Sequence, residues 1–153
     1  MVVQGDLSLL HDPVAEKLLV STIPARLAYN WTDGSPRVVP IWFHWNGTEF
    51  VLGSPPKAPK LKAIRKDPRV ALTIDGNDFP HQVLLIRGLA RVEECDGVAP
   101  EYAACATRYF GKEQGEAWVA NVAGMISSMG RIVITPTWAG ILDFQTRFPS
   151  ALS

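Results

Sequence analysis

Apolar residues alternate with polar ones over several short stretches of this chain, and in four places the apolar period becomes that of a helix. Residues 25–31, 37–45, 49–53, 69–75, 82–94 and 131–144 carry the strand pattern. In 82–94 one face holds Leu84, Ile86, Ala90 and Val92, and the other holds Val83, Leu85 and Leu89 with Arg87 and Arg91. The helical spacing falls on Leu7–Val20 (Leu10, Val14, Leu18 and Leu19), on 59–66, on 98–110 and on 112–128. Asp12-Pro13 suits a helix start, as does Pro59, while Pro68 stops the second helix and Gly111 the third. Thr32 to Ser35 form a turn, and Asn46-Gly47 is a hairpin signal between 37–45 and 49–53.

Six antiparallel strands linked by short turns predict a mainly β fold, a closed or partly open barrel with helices, and not a parallel sheet. Strands 37–45 and 131–144 are apolar on both faces, so their outer faces are expected to be covered too. The helices can cover some of that surface, and a second copy of the chain in a homodimer is the other candidate.

A length of 153 residues predicts one domain, residues 1–153, with a core of its own. Lys+Arg and Asp+Glu are 15 each, which leaves no basic field to gather nucleic acid. No run is long and apolar enough for a membrane span, and MVVQGDLSLLHDP lacks the basic and apolar regions of a signal peptide, so a cytoplasmic protein is expected. Cys95 and Cys105 fit no redox or zinc motif, and His11, His44 and His81 have no ligand spacing, so no metal is expected.

Two segments stand out chemically. Between Ser54 and Arg69 lie Lys57, Lys60, Lys62, Arg65, Lys66 and Arg69 against one acid, Asp67. Such a run describes a solvated helix face, or an anion site. Lys57 and Lys60 sit where the helix begins, beside free N–H groups and the positive end of the macrodipole, which is unfavourable unless an anion is present. The second is Pro40 in RVVPIWF, which implies a strand with a free edge or bulge, where backbone and Trp42 could meet a flat heterocycle. Tyr102, Tyr109 and Trp118 recur at helical spacing, which suits core more than a pocket. No nucleophile elbow, phosphate loop or dinucleotide fingerprint is present, so an enzymatic activity would rest on a cofactor.

The run Ser35 to Phe43, then Phe50 to Ser54, then Lys60 with Pro68-Arg69-Val70, then Gln82 to Gly88, resembles the pyridoxamine 5′-phosphate oxidase-like flavin-binding split-barrel family. The likeness covers roughly 15–95 well and 131–144 loosely. It implies a six-stranded antiparallel split barrel and a homodimer with flavin sites at the subunit interface. By position, Arg37 and Lys60 would hold the flavin phosphate, helped by Lys57. Val38, Val39 and Pro40 would lay backbone along the ring. Ser54 would lie near the phosphate or ribityl chain, Gln82 at the ring's polar edge, and Trp138 would approach from the other subunit. The implied activity is FMN-dependent oxidation or reduction of a small organic substrate. The alternatives are F420-dependent reduction, where Lys57 and Lys62 would suit the acidic tail, and a non-catalytic flavin or haem module. The chain has Pro59 where pyridoxamine phosphate oxidases often have arginine. It also ends Trp138-Ala139-Gly140-Ile141-Leu142-Asp143-Phe144 without their Arg-Leu-His-Asp-Arg type segment, which argues against oxidation of pyridoxamine phosphate.

Overall fold

The computed structural model describes residues 3–147. The strands are β1 (Ala25–Asn30), β2 (Pro36–Ile41), β3 (His44–Trp45), β4 (Phe50–Ser54), β5 (Arg69–Asp75), β6 (Gln82–Asp96) and β7 (Ser128–Asp143). The helices are α1 (Pro13–Leu19), α2 (Pro59–Lys66), α3 (Pro100–Phe110) and α4 (Lys112–Ala123). All strand pairs are antiparallel, and the sheet order is β2-β1-β5-β6-β7-β4-β3.

That order forces the sheet to roll up. Laid flat, the edge strands β2 and β3 would stand about 29 Å apart at ~4.8 Å per strand. Yet only Trp42 and Phe43 join them, a link that reaches at most about 10 Å. The two edges therefore meet along a seam, as in a split barrel. Inward residues of the strands, among them Leu27, Phe50, Leu72, Ile86 and Ile134, fill the interior. Leu61 and Ile64 of α2 pack onto this core, Leu61 against Gly130 of β7, and Leu18 of α1 reaches Gly76 just after β5. Below the barrel, β6 and β7 run on as a ribbon that carries α3 and α4, with Ala99, Val122 and Met129 buried between them.

Three expectations change. The fold is mainly β as expected, but the described residues hold seven strands and not six. The stretch 37–45 breaks at Trp42-Phe43, because the Phe43 carbonyl turns out of the ladder to accept from Arg108 and from the Cys105 thiol. The stretch 7–20 is a 3-10 turn (Leu7–His11) followed by α1, since Pro13 has no N–H to continue a helix and Asp12 caps the new one. The helix expected to 128 ends at Ala123, and Ser128 already pairs with Asp96. Among the described residues no helix is long and apolar enough to cross a membrane.

Candidate functional site

The loop from β4 to α2 builds the first part of the site. Ser54 ends β4 opposite Gly130, and Pro55 to Ala58 form a turn closed by a hydrogen bond from the Ala58 N–H to the Pro55 carbonyl. Pro59 then starts α2, held down by Leu61 and Ile64, and Arg65 and Lys66 occupy the last turn where cations suit the dipole. The start is different: Ala58 is the N-cap, and no side chain caps it. The Ser54 hydroxyl is buried without a hydrogen-bond partner among the described residues, its residue 1% exposed. Lys60 is half-buried, and burial pushes its ammonium pKa down. Among the described residues Lys57, Lys60, Lys62 and Arg65 form no ion pair, whereas Arg69 binds Asp67 and Lys66 donates to the Thr32 carbonyl. Free helix N–H groups, an unpartnered hydroxyl and a desolvated lysine make an arrangement that an anion would satisfy.

The second part is β2. It pairs with β1 only, so Pro40 sits on an edge strand as expected. Val39 and Ile41 pack on the core, while Val38 and Pro40 point outward, Val38 being 65% exposed. A cleft of about 360 Å³ opens at the seam, lined by Pro24, Pro40, Ile41, Trp42, Gly53 and Tyr102. Pro40 thus shares a cleft with Gly53, the neighbour of Ser54. Arg37 does not. It lies opposite Tyr29, donates to the Ser35 hydroxyl and the Pro36 carbonyl, and faces a separate cleft of about 430 Å³ with Arg69 and Arg87.

Gln82 starts β6 at the far end of the barrel, and Trp138 lies midway along β7, opposite Arg87. Ser54 is opposite Gly130 and Gly130 opposite Glu94, so about 40 Å of β6 separates that row from Gln82. Gln82 donates to Asp143 and accepts from Lys17. Burial pushes the Asp143 carboxyl up, but hydrogen bonds from Thr146, Gln82 and backbone N–H groups outweigh it and hold the carboxyl well below the usual range. Trp138 carries Arg87 over its ring at 4.0 Å and packs on Gly5 and Gly140.

The aromatic residues divide between packing and the cleft. Trp42 lines the seam cleft beside Pro40 and is also stacked on Tyr109 and edged by Phe110. Tyr109 belongs to that packing, and its buried hydroxyl has no partner among the described residues. Tyr102 packs against the small core of Ala99, Val122 and Met129, as its spacing suits, and also lines the seam cleft; its hydroxyl accepts a hydrogen bond from the Trp118 indole at 2.9 Å. No period marks such a contact between two helices. Cys105 is buried, and desolvation pushes its thiol up to about 11, so it is a neutral donor and not a nucleophile at pH 7. The described residues hold no cluster of ligands fit for a metal ion.

Among solved structures, an F420 reductase is 24% identical with a TM-score of 0.61, covering 82% of this chain and 94% of its own. A conserved hypothetical protein from Mycobacterium tuberculosis is 19% identical with a TM-score of 0.68, covering 99% and 98%. The haem storage protein HutZ from Vibrio cholerae is 15% identical with a TM-score of 0.64, covering 86% and 92%. These likenesses show the fold. No curated protein matches the chain. The family model described as pyridoxamine 5′-phosphate oxidase matches residues 13–142, most of the chain. The strand order, the seam at Trp42-Phe43 and that match agree, and the chain belongs to the pyridoxamine 5′-phosphate oxidase family.

Proposed function

We propose that this protein is a flavin-dependent oxidoreductase of small organic substrates that works as a cytoplasmic homodimer, with FMN as cofactor and F420 as the alternative. One observation carries it: the Ser54 hydroxyl is buried and unpartnered beside an uncapped helix start, with the half-buried Lys60 next along the chain. A phosphate supplies the acceptor oxygens all three lack. Lys57, exposed on the same turn, adds charge. Val38, Val39 and Pro40 offer backbone on the free edge of β2 to a flat ring. When bound, the ring supplies the hydride chemistry, and this chain's part is to hold the phosphate, orient the ring and exclude water.

Arg37 and Gln82 join such a site only across two copies, since one chain keeps them apart from Lys60, and Trp138 approaches it from the second copy. The outer sheet face supports pairing, with Val38 at 65% and Leu89 at 51% exposure. Obligate interfaces bury on the order of 2,000 Å² or more. Sedimentation equilibrium at micromolar protein is expected to show a dimer, and a cofactor-loaded monomer would contradict the shared site.

Pyridoxamine phosphate is not the expected substrate. A second phosphate needs paired cationic donors. Near the end of the described chain Arg131 is bound to Glu93 and Glu101, and Arg147 to Asp12 and Asp143. The likeness to an F420 reductase, together with the unpaired Lys57 and Lys62, favours F420 as the second cofactor. The absorption spectrum and mass of the molecule that co-purifies test the proposal: a flavin or deazaflavin band is expected. A haem band would instead make the chain a haem module like the HutZ neighbour.

A further inference from the structure

A chain of aromatic rings runs from the seam cleft to the surface. Among the cleft walls only Trp42 and Tyr102 have rings that give up an electron readily, the others being proline, isoleucine and glycine. Two phenols flank Trp42 at nearly the same distance, the ring centre of Tyr102 at 5.2 Å and that of Tyr109 at 5.1 Å. A phenol that loses an electron becomes a very strong acid, so at neutral pH its O–H proton must leave as well. The fate of that proton decides which of the two can refill an oxidised Trp42.

Tyr102 meets this condition. Its Cβ and Cδ2 face Gly53 of the cleft, while its hydroxyl lies in an exposed hydrogen bond to Trp118, itself 39% exposed. An indole nitrogen only donates, so the tyrosine oxygen accepts at 2.9 Å and keeps its own proton, which water can take. The same indole N–H goes on donating to the oxygen once that proton has left. Tyr109 fails the condition. Its hydroxyl is buried without a partner among the described residues, and burial pushes its pKa up. The Arg108 guanidinium, 5.3 Å from the centre of its ring, opposes positive charge there. Phe110, the other ring against Trp42, is a phenyl group and far harder to oxidise.

We propose that Trp42 and Tyr102 form a one-electron relay from the seam cleft to solvent, with Trp118 as the positioning residue of Tyr102, serving an oxidant of the flavin class. Trp42 gives one electron to the oxidant. Tyr102 then gives one electron to Trp42 and its O–H proton to water. The balance is one electron gained by the oxidant, a neutral phenoxyl on Tyr102 and one proton in solvent. A thiol in solution restores Tyr102 by returning a hydrogen atom. The relay rests on the proposed cofactor site, which lays the ring along Pro40 and so beside Trp42.

Blue light makes FMN a strong one-electron oxidant, so FMN with the full chain is the probe. Equilibrium dialysis reads its binding, flavin fluorescence its quenching, and flash photolysis the radical that follows. Bound FMN is expected to be strongly quenched and to leave a tyrosyl radical. Trp42→Phe should restore most of the fluorescence and abolish the radical. Tyr102→Phe should keep the quenching but leave only a short-lived tryptophan radical, and Tyr109→Phe should change neither signal. Trp118→Phe should shorten the life of the tyrosyl radical with binding and quenching unaltered, and an unaltered lifetime would remove Trp118 from the relay. A tyrosyl radical that survives in Tyr102→Phe and disappears in Tyr109→Phe would overturn the proposal, as would FMN that binds and stays bright. FMN that does not bind at all would overturn the cofactor site, and the relay with it.

Discussion

The indole of Trp42 stacks on the phenol of Tyr109, ring centres 5.1 Å apart and planes within 15°. This contact fastens α3 to the two-residue link that closes the barrel, and Arg108 reinforces it by donating to the carbonyls of Ser21 and Phe43. Trp42→Ala is therefore expected to cost about 2–4 kcal/mol, somewhat less than the roughly 3–5 kcal/mol of a fully buried aromatic because Trp42 is only partly buried. Trp42→Phe should cost less. Urea unfolding measures both, and an unaltered midpoint in the alanine variant would mean that α3 holds without the stack.

Lys60→Ala should weaken cofactor binding roughly 10- to 100-fold, as expected for a charge-assisted hydrogen bond of about 1.5–3 kcal/mol. Lys66→Ala, whose ammonium is already bonded to the Thr32 carbonyl, should do little. Equal losses in a titration would mean a diffuse field and not a site.

The same lysine sets a pH dependence of two signs. Burial lowers its folded pKa below the ordinary 10.5, so the charged form is penalised in the empty protein. The empty protein should gain stability as pH rises from that lowered value to 10.5, where the unfolded chain still holds the proton. Cofactor affinity should fall over the same window as the ammonium is lost. Lys60→Arg, whose guanidinium stays charged, should keep affinity level there. Parallel thermal melts and binding curves from neutral pH upward check both signs.

Ser54→Ala separates binding from stability. Removing a buried hydroxyl without a partner should leave the empty protein as stable or stabilise it by about 1–2 kcal/mol, since an unsatisfied group costs on the order of 1–3 kcal/mol. Cofactor affinity should nevertheless drop several-fold. Loss of stability in the empty variant would show that the hydroxyl already has a partner, and would remove the main support for the anion site.

Much of this architecture was legible beforehand, for reasons specific to each element. The bounds of α2, Pro59–Lys66, are those the sequence predicts, because Pro59 and Pro68 punctuate both ends. The free edge of β2 follows from Pro40. The break at Trp42-Phe43 does not: the residues there are good strand formers, and the chain leaves the ladder only because Arg108 and Cys105, over sixty residues away, take the Phe43 carbonyl. The burial of Ser54 is likewise invisible, since alternation tells which face a residue takes and not whether its hydroxyl finds a partner. Gln82 and Trp138 read as site residues by family position. The register places Gln82 at the opposite end of the barrel and Trp138 beside Arg87, and alternation along one strand tells nothing of how far either lies from Lys60.

Glu101 joins the helical pair to the barrel. Its carboxylate binds Arg131 of β7, and that hydrogen bond holds its pKa below the ordinary 4.5. The stabilisation is fully present above 4.5 and is lost as pH falls through the lowered folded value. Glu101→Gln should cost about 1–2 kcal/mol at pH 7, with the difference from the unaltered protein shrinking below pH ~4.5. Urea midpoints at several pH values test it, and a difference that persists at acid pH would assign the loss to packing instead.

The proposed function requires a phosphate-bearing flat ring at Ser54 and Lys60. Titration of cofactor-free protein with FMN and with riboflavin, following flavin fluorescence, tests it most directly, because the two differ only in the phosphate. FMN should bind at least about 100-fold more tightly, and Lys60→Ala should erase most of that ratio. A parallel titration with F420 ranks the two cofactors, and FMN is expected to bind more tightly. Equal affinity for FMN and riboflavin, or an FMN-to-riboflavin ratio unchanged by Lys60→Ala, would contradict the account.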